Sequence, residues 1–160
     1  MAAEYQVRRI IKPVMDFVKL CPFADEFHID LSKMSTQKFI DTKPDCSSLD
    51  FVGSVEINEK KDAIGNKWVQ RQANFQVWLL RSSAHEVERD EIGNFLFNFE
   101  QWVEYCQYYN TAPKIGDLPN EEKIKAENGI YFSEWDGKQS SVYLIQMNIV
   151  YVNQYKMIIK

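Results

Sequence analysis

Apolar residues along the chain follow two rhythms, one helical and one of period two. From Glu4 to Leu20, Val7, Ile10, Ile11, Val14, Phe17 and Val18 recur at helical spacing, with Arg8, Arg9, Lys12, Asp16 and Lys19 largely on the other side. Pro13 removes one backbone donor and crowds the preceding turn, which predicts a kinked helix or one with Pro13 in the first turn of its second half. Cys21-Pro22 ends this segment, and residues 23–35 carry no assignable pattern. A short alternation around Phe39 lies in Gln37–Lys43, before a turn-rich linker, Pro44-Asp45-Cys46-Ser47-Ser48.

Leu49–Asn58 alternates through Phe51, Gly53, Val55 and Ile57, as a half-buried strand does. Charged residues from Glu59 to Asp62 lead into Ile64-Gly65-Asn66, a hairpin end. Val69–Leu79 then sets Val69, Arg71, Ala73, Phe75, Val77 and Leu79 against Gln70, Gln72, Asn74, Gln76 and Trp78. Ser83-Ala84-His85-Glu86 has the spacing of a capping box and opens a long helix. Ile92, Phe95, Leu96, Phe99, Trp102, Val103 and Cys106 form its apolar stripe, and the helix stops before Asn110. A loop through Gly116-Asp117-Leu118-Pro119 precedes a strand from Ile124 to Ser133, a hairpin turn at Trp135-Asp136-Gly137-Lys138, and a final strand from Ser141 to Asn153. The order predicts an α+β fold: a mainly antiparallel sheet of four to five strands, with an N-terminal helix and one long central helix packed on one face. The covered face is expected to carry Phe75, Val77, Ile145 and Ile149.

Length and composition narrow this picture. A chain of 160 residues forms one domain, taken as residues 1–160, and buries roughly 70% of its unfolded surface. Its 22 aromatic residues stand against only 6 glycines, which disfavours glycine-built nucleotide loops and flexible linkers. The net charge is −4, and the densest basic cluster is Arg8, Arg9 and Lys12, so direct nucleic-acid binding is not expected. Cys21, Cys46 and Cys106 are odd in number, widely spaced and without a CxxC pair. That pattern points away from a disulfide framework or structural zinc and toward folding in a reducing cytosol. The opening residues lack the basic region of a signal peptide. No run approaches the ~20 apolar residues of a membrane span.

Catalytic chemistry finds little purchase. His28 and His85 belong to no motif, and no Gly-x-Ser-x-Gly elbow or GxxxxGK[ST] loop is present. Cys106 falls on an apolar stripe and reads as structural, and nothing near Cys21 in sequence lowers its pKa. Glu88, Asp90 and Glu91 suit the positive end of a helix, and Glu121 and Glu122 read as solvent-facing loop residues. No catalytic residue, cofactor or metal site is therefore assigned. The amides stand out instead. Gln70, Gln72, Asn74 and Gln76 occupy one strand face and Gln146 and Asn148 another, where exposed strands usually carry Lys, Glu or Thr. Donors and acceptors without net charge suit a subunit contact, because burying charge is costly. The candidate oligomer interface is therefore Gln70, Gln72, Asn74, Gln76, Gln146 and Asn148, with Trp68, Trp78 and Trp135 as unplaced aromatics. An ordinary wet sheet face is the plain alternative.

Read as one string, the second half resembles the minor capsid or tail-terminator-like proteins of tailed bacteriophages and prophages of Gram-positive hosts. The matching residues are Asn74-Phe75-Gln76-Val77-Trp78, Asn98-Phe99-Glu100-Gln101-Trp102-Val103-Glu104, Leu118-Pro119 and Asn128-Gly129-Ile130-Tyr131-Phe132. The closing strand Tyr143-Leu144-Ile145-Gln146-Met147-Asn148-Ile149-Val150-Tyr151 completes them, and Pro13-Val14 and Cys21-Pro22 echo the family's opening helix. Coverage is dense from Trp68 to Tyr151. Pro44–Leu49 and Glu59–Asp62 depart from the pattern, which leaves strand register there open. The resemblance implies a non-enzymatic virion subunit, made in the bacterial cytoplasm, that assembles as a ring, typically six-fold, at the head-proximal end of the tail. It would stop tail-tube growth and join tail to head. Its partners would be further copies of itself and tail-tube and head-completion proteins, with no cofactor, membrane or nucleic acid. A neighbouring head–tail connector, or a ligand-binding module or enzyme with Trp68, Trp78, Trp135 and Tyr143 lining a pocket, are the alternatives.

Overall fold

The computed structural model describes residues 4–36, 46–82, 86–135 and 140–157. Helix α1 spans Ile11–Lys19, strands β1 and β2 span Ser47–Lys61 and Lys67–Ser82, helix α2 spans Glu86–Tyr108, and strands β3 and β4 span Lys123–Trp135 and Ser140–Tyr155. The strands form one four-stranded antiparallel sheet in the order β1-β2-β4-β3. The fold is therefore α+β, with two helices and four strands among the described residues. The alternation at Gln37–Lys43, the capping residues Ser83, Ala84 and His85, and the turn residues Asp136, Gly137 and Lys138 lie outside them.

Several boundaries differ from the sequence expectation. The first helix begins at Ile11, not Glu4, and Pro13 is its third residue. A helix started at Glu4 would need the N–H that Pro13 lacks and would press its ring on the Arg9 carbonyl. In the first turn that donor has no intrahelical partner to lose. Residues 4–10 instead run without regular structure, and Arg8 reaches the Ile115 carbonyl at 3.1 Å and Asn153 Oδ1 at 2.9 Å and pairs with Asp117. Ser47 and Ser48, expected in a linker, are buried residues that open β1. The unassigned stretch after Pro22 contains a short 3-10 helix, Ala24–Phe27, and buries Ile29, Leu31 and Met34.

The two central strands pair without interruption from Lys67↔Tyr155 to Ser82↔Ser140. Both edge strands are broken by bulges: β1 at Phe51/Ser54 and Glu56/Asn58, β3 at Glu127/Ile130 and Tyr131/Ser133. Gly53, at φ +105, supplies the left-handed backbone of the first bulge. Asp62 closes the β1–β2 hairpin by accepting hydrogen bonds from the backbone N–H groups of Ile64 and Asn66.

One core cluster joins Val14, Phe17 and Val18 of α1, Ile92, Phe95, Phe99 and Val103 of α2, and Phe75, Val77, Ile145, Met147 and Ile149 of the central strands. Its aromatic centre is built around Trp102. Phe17 stacks on that indole at 4.8 Å, Phe99 lies 5.6 Å from it, and Phe23 meets it edge-on at 6.5 Å. Side chains also tie α2 to β3. Gln107 Oε1 accepts from the Ile124 N–H and Glu100 Oε1 from the Gly129 N–H, both at 2.8 Å. Phe99, at 1% exposure, is one of the largest fully buried side chains and lies among these rings. Phe99→Ala is expected to lower unfolding free energy by about 3–5 kcal/mol, measured as a shift of the urea midpoint. Phe97→Ala, on the exposed side of the same helix, is expected to change it by less than about 0.5 kcal/mol.

Candidate functional site

Antiparallel pairing places the six amides in one patch. Side chains alternate faces along a strand, so the β2 residues Gln70, Gln72, Asn74 and Gln76 all point away from the side that carries Phe75 and Val77. The register then sets Gln76 directly opposite Gln146 and Asn74 directly opposite Asn148. Each row continues to the sheet edges. One reads Asp50, Gln76, Gln146, Glu127, and the next ends Asn74, Asn148, Lys125. Charge therefore appears at the margins of the patch and not in its middle. All six amides are half-buried. Gln72 Nε2 donates to Asn74 Oδ1 at 2.8 Å, Asn148 Nδ2 to Glu127 Oε1 at 3.2 Å, and Asn128 Nδ2 to Gln146 Oε1 at 3.4 Å. A primary amide has two donors and two lone pairs, so the single bond made by each of Gln72, Asn74, Gln146 and Asn148 leaves further capacity for a partner.

The three tryptophans separate. Trp68 is half-buried at the hairpin end of this face and lines a groove of about 460 Å³ with Asn58, Lys60, Lys61, Gln70, Glu121 and Val152. Trp78 shares the face but is only 5% exposed, and it belongs to a second small core with Leu80, Val142 and Leu144. It is thus a packing residue rather than a free contact, a correction that follows from strand residues buried on both faces at this end of the sheet. Trp135 is in β3, opposite Ser140, and its side chain lies outside the described residues.

The titratable groups fall into structural roles. Cys106 is buried in the α2 stripe. Cys21 is buried at the end of α1, and burial pushes its thiol pKa up to about 11, although the backbone N–H groups of Phe23 and Ala24 pull the other way. His28 adopts a left-handed backbone, φ 57°, after the 3-10 turn, and its carbonyl accepts from Arg81 at 2.7 Å. Asp90, Glu91 and Glu121 are exposed. Glu122 is not the solvent-facing loop residue its surroundings in sequence imply. It is 3% exposed, and its two carboxylate oxygens accept from the backbone N–H groups of Ile115 and Gly116, each at 2.8 Å. Nothing in the local pattern distinguishes it from Glu121, because its partners lie six and seven residues back. Gly116 sits so close to β4 that an added Cβ would come within 2.8 Å of the Val152 carbonyl.

Among the described residues no group of His, Cys, Asp and Glu side chains is arranged to hold a metal ion, and no helix is long and apolar enough to cross a membrane. No known family model matches the chain, and no curated protein matches it either.

The thiols give a direct check of this arrangement. Cys46, half-buried, is expected to react first with an alkylating reagent at neutral pH, whereas Cys21 and Cys106 react only on unfolding. The folded pKa of Cys21 lies above that of an unfolded thiol. Its contribution to stability is therefore complete below about pH 9 and is lost as pH rises toward 11. Urea midpoints measured across that range should fall more steeply for the wild-type chain than for Cys21→Ala.

Proposed function

We propose that the chain is a non-enzymatic structural subunit of a phage virion, a tail-terminator or tail-completion protein that caps the tail tube and helps join tail to head. In this reading α1 and α2 lie over one face of the sheet and leave the amide face for a neighbouring copy. The observation that carries it is the uncharged, half-buried amide ladder across β2 and β4, bounded by charge only at the sheet margins. Desolvating charge against a neighbour costs several kcal/mol, whereas paired amides cost little. The ordered residue strings between Trp68 and Tyr151 that resemble the phage family support the same reading. The contact is head-to-tail and closes into a ring when the rotation between copies is right. A neighbouring head–tail connector would use the same surface logic on a different virion partner.

A ligand-binding module is the second reading, favoured by the groove beside Trp68, where an indole, two lysines and two amides converge. The two separate experimentally. Mass measured in solution and after mixing with tail tubes should show copies joining on the tubes. A chain that neither associates at any concentration nor binds tubes would overturn the structural reading. Gln72→Lys with Gln146→Lys puts two cations on the ladder without opposing them across the sheet, since their partners there are Val150, Val55, Gln76 and Glu127. The double variant is expected to keep its circular dichroism and melting temperature while losing assembly by about ten-fold or more.

A further inference from the structure

We propose that the outward face of α2 is a docking surface for a different protein that presents arginine side chains. The helix has two well-separated faces. Ile92, Phe95, Phe99, Val103 and Cys106 are buried, while Phe97, Gln101, Tyr105 and Tyr108 follow one another on the opposite side at steps of three and four. An outward helix stripe normally carries charged residues. Here Phe97 is 61% exposed and Tyr108 81%, and Tyr105 and Tyr109 are also exposed. The tyrosines form one continuous aromatic surface, with ring centroids 4.6 Å apart for Tyr105–Tyr109 and 5.0 Å for Tyr108–Tyr109.

Charge identifies the occupant. Helix α2 holds six acidic residues, Glu86, Glu88, Asp90, Glu91, Glu100 and Glu104, against the single cation Arg89. That net −5 exceeds the −4 of the entire chain, so the remaining residues are close to neutral. Asp90 and Glu104 lie on the same exposed side as Phe97 and Tyr108. The last turn carries no basic residue, although a cation there would complement the negative end of the helix. Glu104 close to that end adds to the unfavourable field. A guanidinium relieves it and also stacks on tyrosine rings, which an ammonium does less well. Two copies of α2 meeting face to face would set −5 against −5, and the residues outside α2 together come to about neutral. The partner is therefore another, cationic protein rather than a second copy.

The surface is separate from the amide ladder, so its test stands apart from ring assembly. A labelled peptide of alternating arginine and serine, titrated at low salt with the mass of the chain followed alongside, is expected to bind about ten-fold tighter than its glutamate counterpart. Tyr105→Ala/Tyr108→Ala/Tyr109→Ala leaves net charge unchanged and alters only exposed rings. It is expected to weaken arginine-peptide binding about ten-fold with the far-ultraviolet spectrum intact. Glu104→Gln should weaken it about three-fold and flatten its salt dependence. Binding by the triple variant within about two-fold of wild type, no arginine-peptide binding by the wild-type chain up to millimolar peptide, or self-association that the tyrosine changes abolish would each overturn the proposal.

Discussion

The unbroken antiparallel pairing of β2 with β4 is the constraint on which the rest of the molecule depends. Sixteen consecutive residue pairs hold without a bulge. A shift of one residue would turn every side chain to the other face, burying glutamines against Phe99 and exposing Phe75, Val77, Ile145 and Met147. The apolar demand of the core cluster therefore fixes the register, and the register in turn aligns the amides across the sheet. The core and the amide ladder are two sides of one pairing decision. The aromatic surplus of the chain is largely taken up in the same core cluster, where Phe17 of α1 interlocks with Phe95, Phe99 and Trp102 of α2.

The second anchor is the loop between α2 and β3. Glu122 ties Ile115 and Gly116 from within, Asp117 accepts from the Gln154 N–H at 2.8 Å, and the Asp117 N–H donates to the Val152 carbonyl at 2.9 Å. Arg8 completes the cluster from the N-terminal segment. A chain segment that lacks regular structure is thus held on β4 by polar contacts whose partners are distant in sequence. Gly116 permits the close approach that these contacts require.

Periodicity made the strongly amphipathic elements legible. Val69–Leu79, Ser141–Asn153 and the Ile92–Cys106 stripe all appear where alternation or helical spacing places them, because one face of each is buried. The start of α1 was not legible from spacing, since Val7 and Ile10 continue the helical rhythm and only the backbone chemistry of Pro13 ends it. Glu122 and Trp78 differ from the sequence expectation for a common reason. Each takes its environment from residues that the local pattern does not contain: backbone donors of an earlier loop in one case, a second packed cluster at the end of the sheet in the other. The amide patch was visible strand by strand, but its continuity required the register Asn74↔Asn148 and Gln76↔Gln146. The α2 tyrosines add nothing to the helical spacing, which the buried stripe beside them already accounts for.

The bulges have a consequence at the scale of many molecules. Each outer strand carries two, while the inner pair carries none. Bulges twist and bend an edge, so its free N–H and C=O groups no longer form a straight, evenly spaced template for another strand. Growth by adding sheet to sheet, the route to indefinite fibres, is discouraged at both margins. A protein at high concentration is thereby left to meet its neighbours through side chains, whose contacts are specific and finite in number.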